Sequence, residues 1–144
     1  MSEHEKDYNS PEECEKRMSQ EDPIIMYLVV HDIGMSAGKM AAQVGHAVGM
    51  LYIKYMMHIG LLSDQKLKIW QEWQEDSFRK VTLTANDSKW NKLKSQLPDL
   101  GIEHSMVIDA GLTEIPRGSE TVIGVWPMRK SSRPPLLRKL QVLK

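Results

Sequence analysis

The chain runs Pro23-Ile24-Ile25-Met26-Tyr27-Leu28-Val29-Val30, then through His31, Asp32 and Ile33 into Gly34-Met35-Ser36-Ala37-Gly38-Lys39-Met40-Ala41-Ala42-Gln43-Val44-Gly45-His46-Ala47. An apolar run rich in branched side chains, bounded by a proline and a glycine loop, has the composition of a strand buried on both faces. It is expected at the centre of a sheet. Beyond the loop the strand pattern stops, and Ala41, Val44, Val48, Leu51 and Tyr55 recur on one side of a helix reaching about residue 59. Farther on, Ser63-Asp64 is expected to cap a second helix carrying Leu67, Trp70 and Trp73, and Phe78 to Thr84 to form a second strand. Asp87-Ser88 caps a third helix that ends near Pro98 and Gly101. Glu103 to Ile108 and Glu120 to Val125 supply two more strands around a loop from Asp109 to Gly118, and Pro134-Pro135 suits the first turn of a final helix. The order β-α-α-β-α-β-β-α specifies an α/β, three-layer-like domain whose mixed four-stranded sheet is flanked by helices.

With 144 residues, 41 % apolar and 26 % charged, the chain has room for one domain with a sizeable core. The single cysteine, Cys14, rules out an intramolecular disulfide scaffold and a Cys-rich zinc module, and fits a cytoplasmic setting. The longest nearly unbroken apolar stretch, Ala47 to Ile53, is far shorter than the roughly 20 residues of a membrane span. The opening Met1-Ser2-Glu3-His4-Glu5 has neither the basic nor the apolar region of a signal peptide, so no export is expected. A net charge of zero hides a division: residues 1–22 carry eight acids against three bases, and the remainder a surplus of five bases. Residues 1–22 contain only Met1, Tyr8, Cys14 and Met18 as apolar groups and are expected to be an acidic, disordered or loosely attached arm, leaving 23–144 as the domain. Arg129, Lys130, Arg133, Arg138, Lys139 and Lys144 follow with no acid among them. Such a stretch is either a solvated helix face or a contact surface for a polyanion.

The glycine loop fails as a nucleotide-binding loop, because three residues rather than four separate Gly34 from Gly38 and Met40 stands where a magnesium-binding hydroxyl is needed. What remains is Lys39 at a helix N-terminus, where free N–H groups favour negative charge. Lys39, Gln43 and His46 fall on one helix stripe, with Ala42 and Gly45 leaving room beside them. His46 alone suits a hydrogen-bonded, half-buried structural histidine better, and the three polar groups on one stripe weigh against that, because buried polar groups without partners are costly. Asp109 closes an apolar strand, either as a site residue at the carboxyl edge of the sheet or as a cap for its own loop. His31, His46, His58 and His104 form no tight ligand pair, so no metal is expected, and no Gly-x-Ser-x-Gly elbow occurs. Met50, Met56, Met57, Trp70 and Trp73 suit packing in a core or a dimer face.

Tyr27 to Val30, the block Gly34 to Ala47, Asp109-Ala110-Gly111-Leu112-Thr113 and Thr121-Val122-Ile123-Gly124 together resemble the archaeal/eukaryotic type of peptidyl-tRNA hydrolase over roughly residues 24–144. The resemblance implies a metal-independent enzyme without cofactor, commonly a homodimer. It would hydrolyse the ester between peptide and terminal ribose and so recycle tRNA in translation. By position, it assigns site roles to Lys39, Gln43, His46, Asp109, Thr113 and Thr121. In that scheme Asp109, directly or through Thr113, orients and deprotonates a water, and Lys39 with the helix N-terminus stabilises the oxyanion. Gln43 and His46 position the ester or the terminal adenosine. Lys92, Lys94, Arg129, Lys130, Arg133, Arg138 and Lys139 would hold tRNA phosphates. Gly45, Leu112, Glu114 and Trp126 depart from the pattern of many relatives. The alternative reading is a non-catalytic or regulatory binding protein that retains the hydrolase fold.

Overall fold

The computed structural model describes Pro11 and residues 22–58, 62–111 and 115–144. Of the expected arm, only Pro11 and Asp22 lie among these. The elements are β1 (Ile24–His31), α1 (Ala37–Met57), α2 (Asp64–Glu75), β2 (Lys80–Ala85), α3 (Asp87–Asp99), β3 (His104–Ile108), β4 (Glu120–Arg129), α4 (Pro135–Arg138) and β5 (Gln141–Val142).

The sheet has the order β3-β4-β1-β2-β5, with β1 parallel to β2 and antiparallel to β4. It is therefore mixed, and β1 is central, as its sequence requires. There are five strands rather than the expected four. The extra one is a two-residue strand in which Val142 lies opposite Leu83 and Gln141 opposite Thr84. Both are exposed, so β5 leaves no apolar alternation to read.

Successive residues of β1 serve different layers. Ile24, Met26, Leu28 and Val30 pack with Leu51 of α1 and with Trp70 and Trp73 of α2. Ile25, Tyr27 and Val29 pack with Trp90, Leu93 and Leu97 of α3 and Leu137 of α4. The result is helix, sheet, helix. Trp70 and Trp73 belong to the core as expected, whereas Met50, Met56 and Met57 stay exposed.

Serines cap the first two helices: Ser36 Oγ accepts from Lys39 N and Ser63 Oγ from Lys66 N, each at 3.2 Å. The third helix is capped by Asn86, whose Oδ1 accepts from Lys89 N at 3.0 Å, rather than by Asp87 or Ser88. Asp87 instead occupies the first turn. β4 continues past Val125 to Arg129. This carries Trp126 into the first core, where its ring centroid lies 4.7 Å from that of Trp70 and its Nε1 donates to Lys66 O at 2.9 Å.

Candidate active site

The end of β3, the start of β4 and the first turns of α1 meet at one edge of the sheet. Ser36 fixes the entry to α1, and the Lys39 ammonium one turn in donates to Asp109 Oδ1, joining residues 70 positions apart. Both groups are shielded, at 11 % side-chain exposure for Lys39 and 4 % for Asp109. Asp109 is locked by its own loop: its N–H donates to Ser119 O, its carbonyl accepts from Gly118 N, both at 2.9 Å, and Oδ2 accepts from Gly111 N at 2.6 Å. Gly111 has a φ of +78°, and a Cβ there would lie 2.4 Å from Arg117 Cβ, so a side chain is excluded on both counts. The Lys39 hydrogen bond holds the Asp109 carboxyl below its ordinary pKa against the opposing effect of burial, helped by the Gly111 N–H.

One turn along α1, Gln43 is buried and its Nε2 donates to Thr121 Oγ1 at 3.0 Å. That hydroxyl in turn donates to Val107 O at 3.1 Å. Because its single proton is committed to a carbonyl, Thr121 must accept from Gln43, which fixes the amide with its NH2 group toward the threonine. Thr121 is thus a positioning group. A β-bulge puts it there: Ile108 pairs with Glu120 and Val107 with Val122, leaving Thr121 as the extra residue. Two consecutive side chains, Thr121 and Val122, therefore face the α1 layer.

Lys39, Asp109, Gln43 and Thr121 are brought together. His46 lies farther along the same helix, exposed, and lines a groove beside β3. Thr113, with Leu112 and Glu114, lies outside the described residues. The basic residues divide between two ends of the molecule. Lys92 and Lys139 line a cavity of about 280 Å³ together with Lys89. Lys94 pairs with Glu120 at 2.8 Å, beside Thr121. At the opposite end of the sheet, Arg129 binds Glu72 at 3.1 Å and Asp22 O at 3.3 Å, the Lys130 N–H donates to Pro23 O, and the Arg133 guanidinium lies 6.0 Å from the Tyr27 ring. Arg138 is exposed on α4. Trp126 sits at that far end too, about 16 Å along β4 from Thr121 at the usual strand rise. It does not narrow the reactive cleft.

Gly111 and the Val107 carbonyl were not singled out from sequence. The signal for Gly111 was the Asp-x-Gly spacing of an Asx turn, in which an aspartate accepts from the N–H two residues on. Asp109 caps its own loop and at the same time holds Lys39. Nothing in sequence marks a backbone carbonyl.

An ammonium at a helix N-terminus, paired with an ionised carboxylate in a shielded cleft, suits the stabilisation of negative charge developing on an acyl oxygen and the orientation of an attacking water. That places the molecule among α/β enzymes with a reactive cleft at the carboxyl edge of β1 and β3. Residues 24–143 match the family described as Peptidyl-tRNA hydrolase PTH2, and the chain belongs to that family. It is 39 % identical over 98 residues to a peptidyl-tRNA hydrolase of Pyrobaculum aerophilum, covering 67 % of this chain and 77 % of that one. It is 34 % identical over 97 residues to the peptidyl-tRNA hydrolase of Thermococcus onnurineus, covering 67 % and 76 %. Against a probable peptidyl-tRNA hydrolase 2 of Dictyostelium discoideum it is 35 % identical over 102 residues, covering 70 % of this chain and 45 % of that longer one.

Proposed function

We propose that this chain hydrolyses the ester bond of peptidyl-tRNA, releasing peptide and free tRNA. The observation that carries this reading is the meeting of Lys39 and Asp109 at the N-terminus of α1, within a domain of the PTH2 family. Water gives up a proton to Asp109, directly or through Thr113, as it adds to the ester carbonyl, and the oxyanion so formed is met by the Lys39 ammonium and the α1 N–H groups. The bond to the ribose oxygen then breaks, that oxygen takes a proton, and the peptide leaves as a carboxylate. Asp109 is held ionised by Lys39 and Gly111, so it serves as the fixed acceptor that orients the water and keeps the ammonium in place. Thr113 would complete the water's contacts from the same loop. Gln43, clamped by Thr121, and His46 would position the ester or the terminal adenosine. Lys92, Lys94 and Lys139, with Lys89, would take tRNA phosphates close to the cleft. Arg129, Lys130, Arg133 and Arg138 would meet the backbone farther along the acceptor stem. The same reading makes the protein a cytoplasmic homodimer with an acidic arm over residues 1–22, and it uses no cofactor. The test is release of N-acetyl-aminoacyl groups from tRNA by Lys39→Ala and Asp109→Asn variants. Each is expected to lower kcat by about a hundredfold or more, as for loss of an oxyanion donor; near-wild-type rates in both would remove the mechanism.

A further inference from the structure

The ester substrate has two arms, a nucleoside and a peptide, and they must leave the reacting carbonyl in different directions. Beside the catalytic cleft, a groove of about 600 Å³ runs between α1 and the edge strand β3. Gly45, Gly49, Met50 and Ile53 form its helix wall and Met106 and Ile108 its strand wall, with Ile108 60 % exposed. Two of its lining residues adjoin the site: His46 lies one turn beyond Gln43 on α1, and Val107 provides the carbonyl that Thr121 Oγ1 binds. No lysine or arginine lines it, whereas the basic candidates for tRNA phosphates near the cleft lie on α3 and just after α4.

Among the described residues its strand wall has backbone groups that no neighbouring strand pairs. The Trp126 N–H donates to Glu103 O at 2.9 Å, so by alternation Ser105 and Val107 also face β4, and the Met106 N–H and C=O point outward. The Lys54 ammonium occupies the His104 carbonyl at 2.5 Å and covers the distal part of this edge. Among the described residues no strand covers the part next to the cleft. An added extended chain would satisfy those groups and lay its side chains against α1. There the missing Cβ atoms of Gly45 and Gly49 leave open space, with nothing within 4 Å of either position.

We propose that this groove is the subsite for the peptide of the substrate, which binds as an extra strand on the outer edge of β3. The assignment rests on the hydrolase reading above and adds to it a dependence on peptide length. Gly49 is six residues beyond Gln43, about 9 Å along the helix and therefore about three residues along an extended peptide. A bulky side chain there obstructs a third residue and leaves a single acylated residue untouched.

The test compares wild type and Gly49→Leu on N-acetyl-aminoacyl-tRNA and on an N-acetyl-tetrapeptidyl-tRNA with the same esterified residue. Open space at Gly49 and the better helix propensity of leucine allow the variant to fold, which circular dichroism checks. The expected result is a loss of about tenfold in kcat/KM on the longer substrate, with the shorter unchanged. Equal losses on both substrates, or none on either, overturn the groove assignment. So does a change in sedimentation from dimer to monomer without a change in length preference, which makes a second copy of the chain the occupant. A wild-type chain that turns over neither substrate overturns the hydrolase reading instead.

Discussion

Asp109 shows how one side chain carries both structure and chemistry. Its carboxylate accepts from Lys39 and from Gly111, and its main chain is pinned to Ser119 and Gly118. The Lys39 and Gly111 contacts favour the ionised carboxyl, so against the opposing effect of burial its native pKa lies below the ordinary 3.8. A group depressed in the folded state contributes stability above its unfolded pKa and loses it as pH falls through the native value. The stability difference between wild type and Asp109→Asn, followed by urea unfolding, is therefore expected to stay constant from neutral pH down to about pH 4 and to shrink only below that. A difference that faded between pH 7 and 5 would contradict the Lys39 pairing. The partners of Asp109 were only half legible. Lys39, Gln43 and His46 declare themselves by helical spacing, but the reach from α1 to a loop 70 residues away depends on the sheet order. The fixed donor Gly111 depends on a left-handed backbone angle that only the folded loop reveals.

The elements were easiest to read where a single physical signal dominates. Ile24 to Val30 has the composition of a strand buried on both faces, and the expected cap Ser63 stands where α2 begins. Legibility failed where pairing rather than pattern makes the element: β5 is two exposed residues held by β2, and the end of β4 is set by its register with Ile24 and Ile25. The contact between α1 and β4 has the tightest tolerance. A Cβ on Gly124 would lie 2.9 Å from Ser105 Oγ, 3.1 Å from Leu51 Cδ1 and 3.2 Å from Ala47 Cβ. Gly124→Ala is therefore expected to cost about 1–3 kcal/mol, measured as a lower urea midpoint with an unchanged slope. Because the same helix carries Lys39 and Gln43, the variant is also expected to lower kcat more than it raises KM.

Across the whole molecule the positive charge has no single face. Lys89, Lys92 and Lys139 share one cavity on the α3–α4 layer, while Arg129 is engaged by Glu72 and by the backbone of Asp22. Under the hydrolase reading, tRNA affinity falls steeply with salt, and the doubly substituted Lys92→Ala, Lys139→Ala chain is expected to flatten the plot of log affinity against log salt by about one to two units. Arg129→Ala should change that slope less while lowering stability, and filter binding with parallel unfolding curves separates the two effects. Sequence composition showed the basic surplus but not its division, since only the fold sends Arg129 and Lys139 to different places. The chain enters the domain at Asp22, held by Ser131, at the far end of β1 from Lys39. A molecule attached to a sensor chip or bead at Asp22 itself thus turns its cleft outward, leaving the ester pocket accessible to a soluble substrate as large as tRNA.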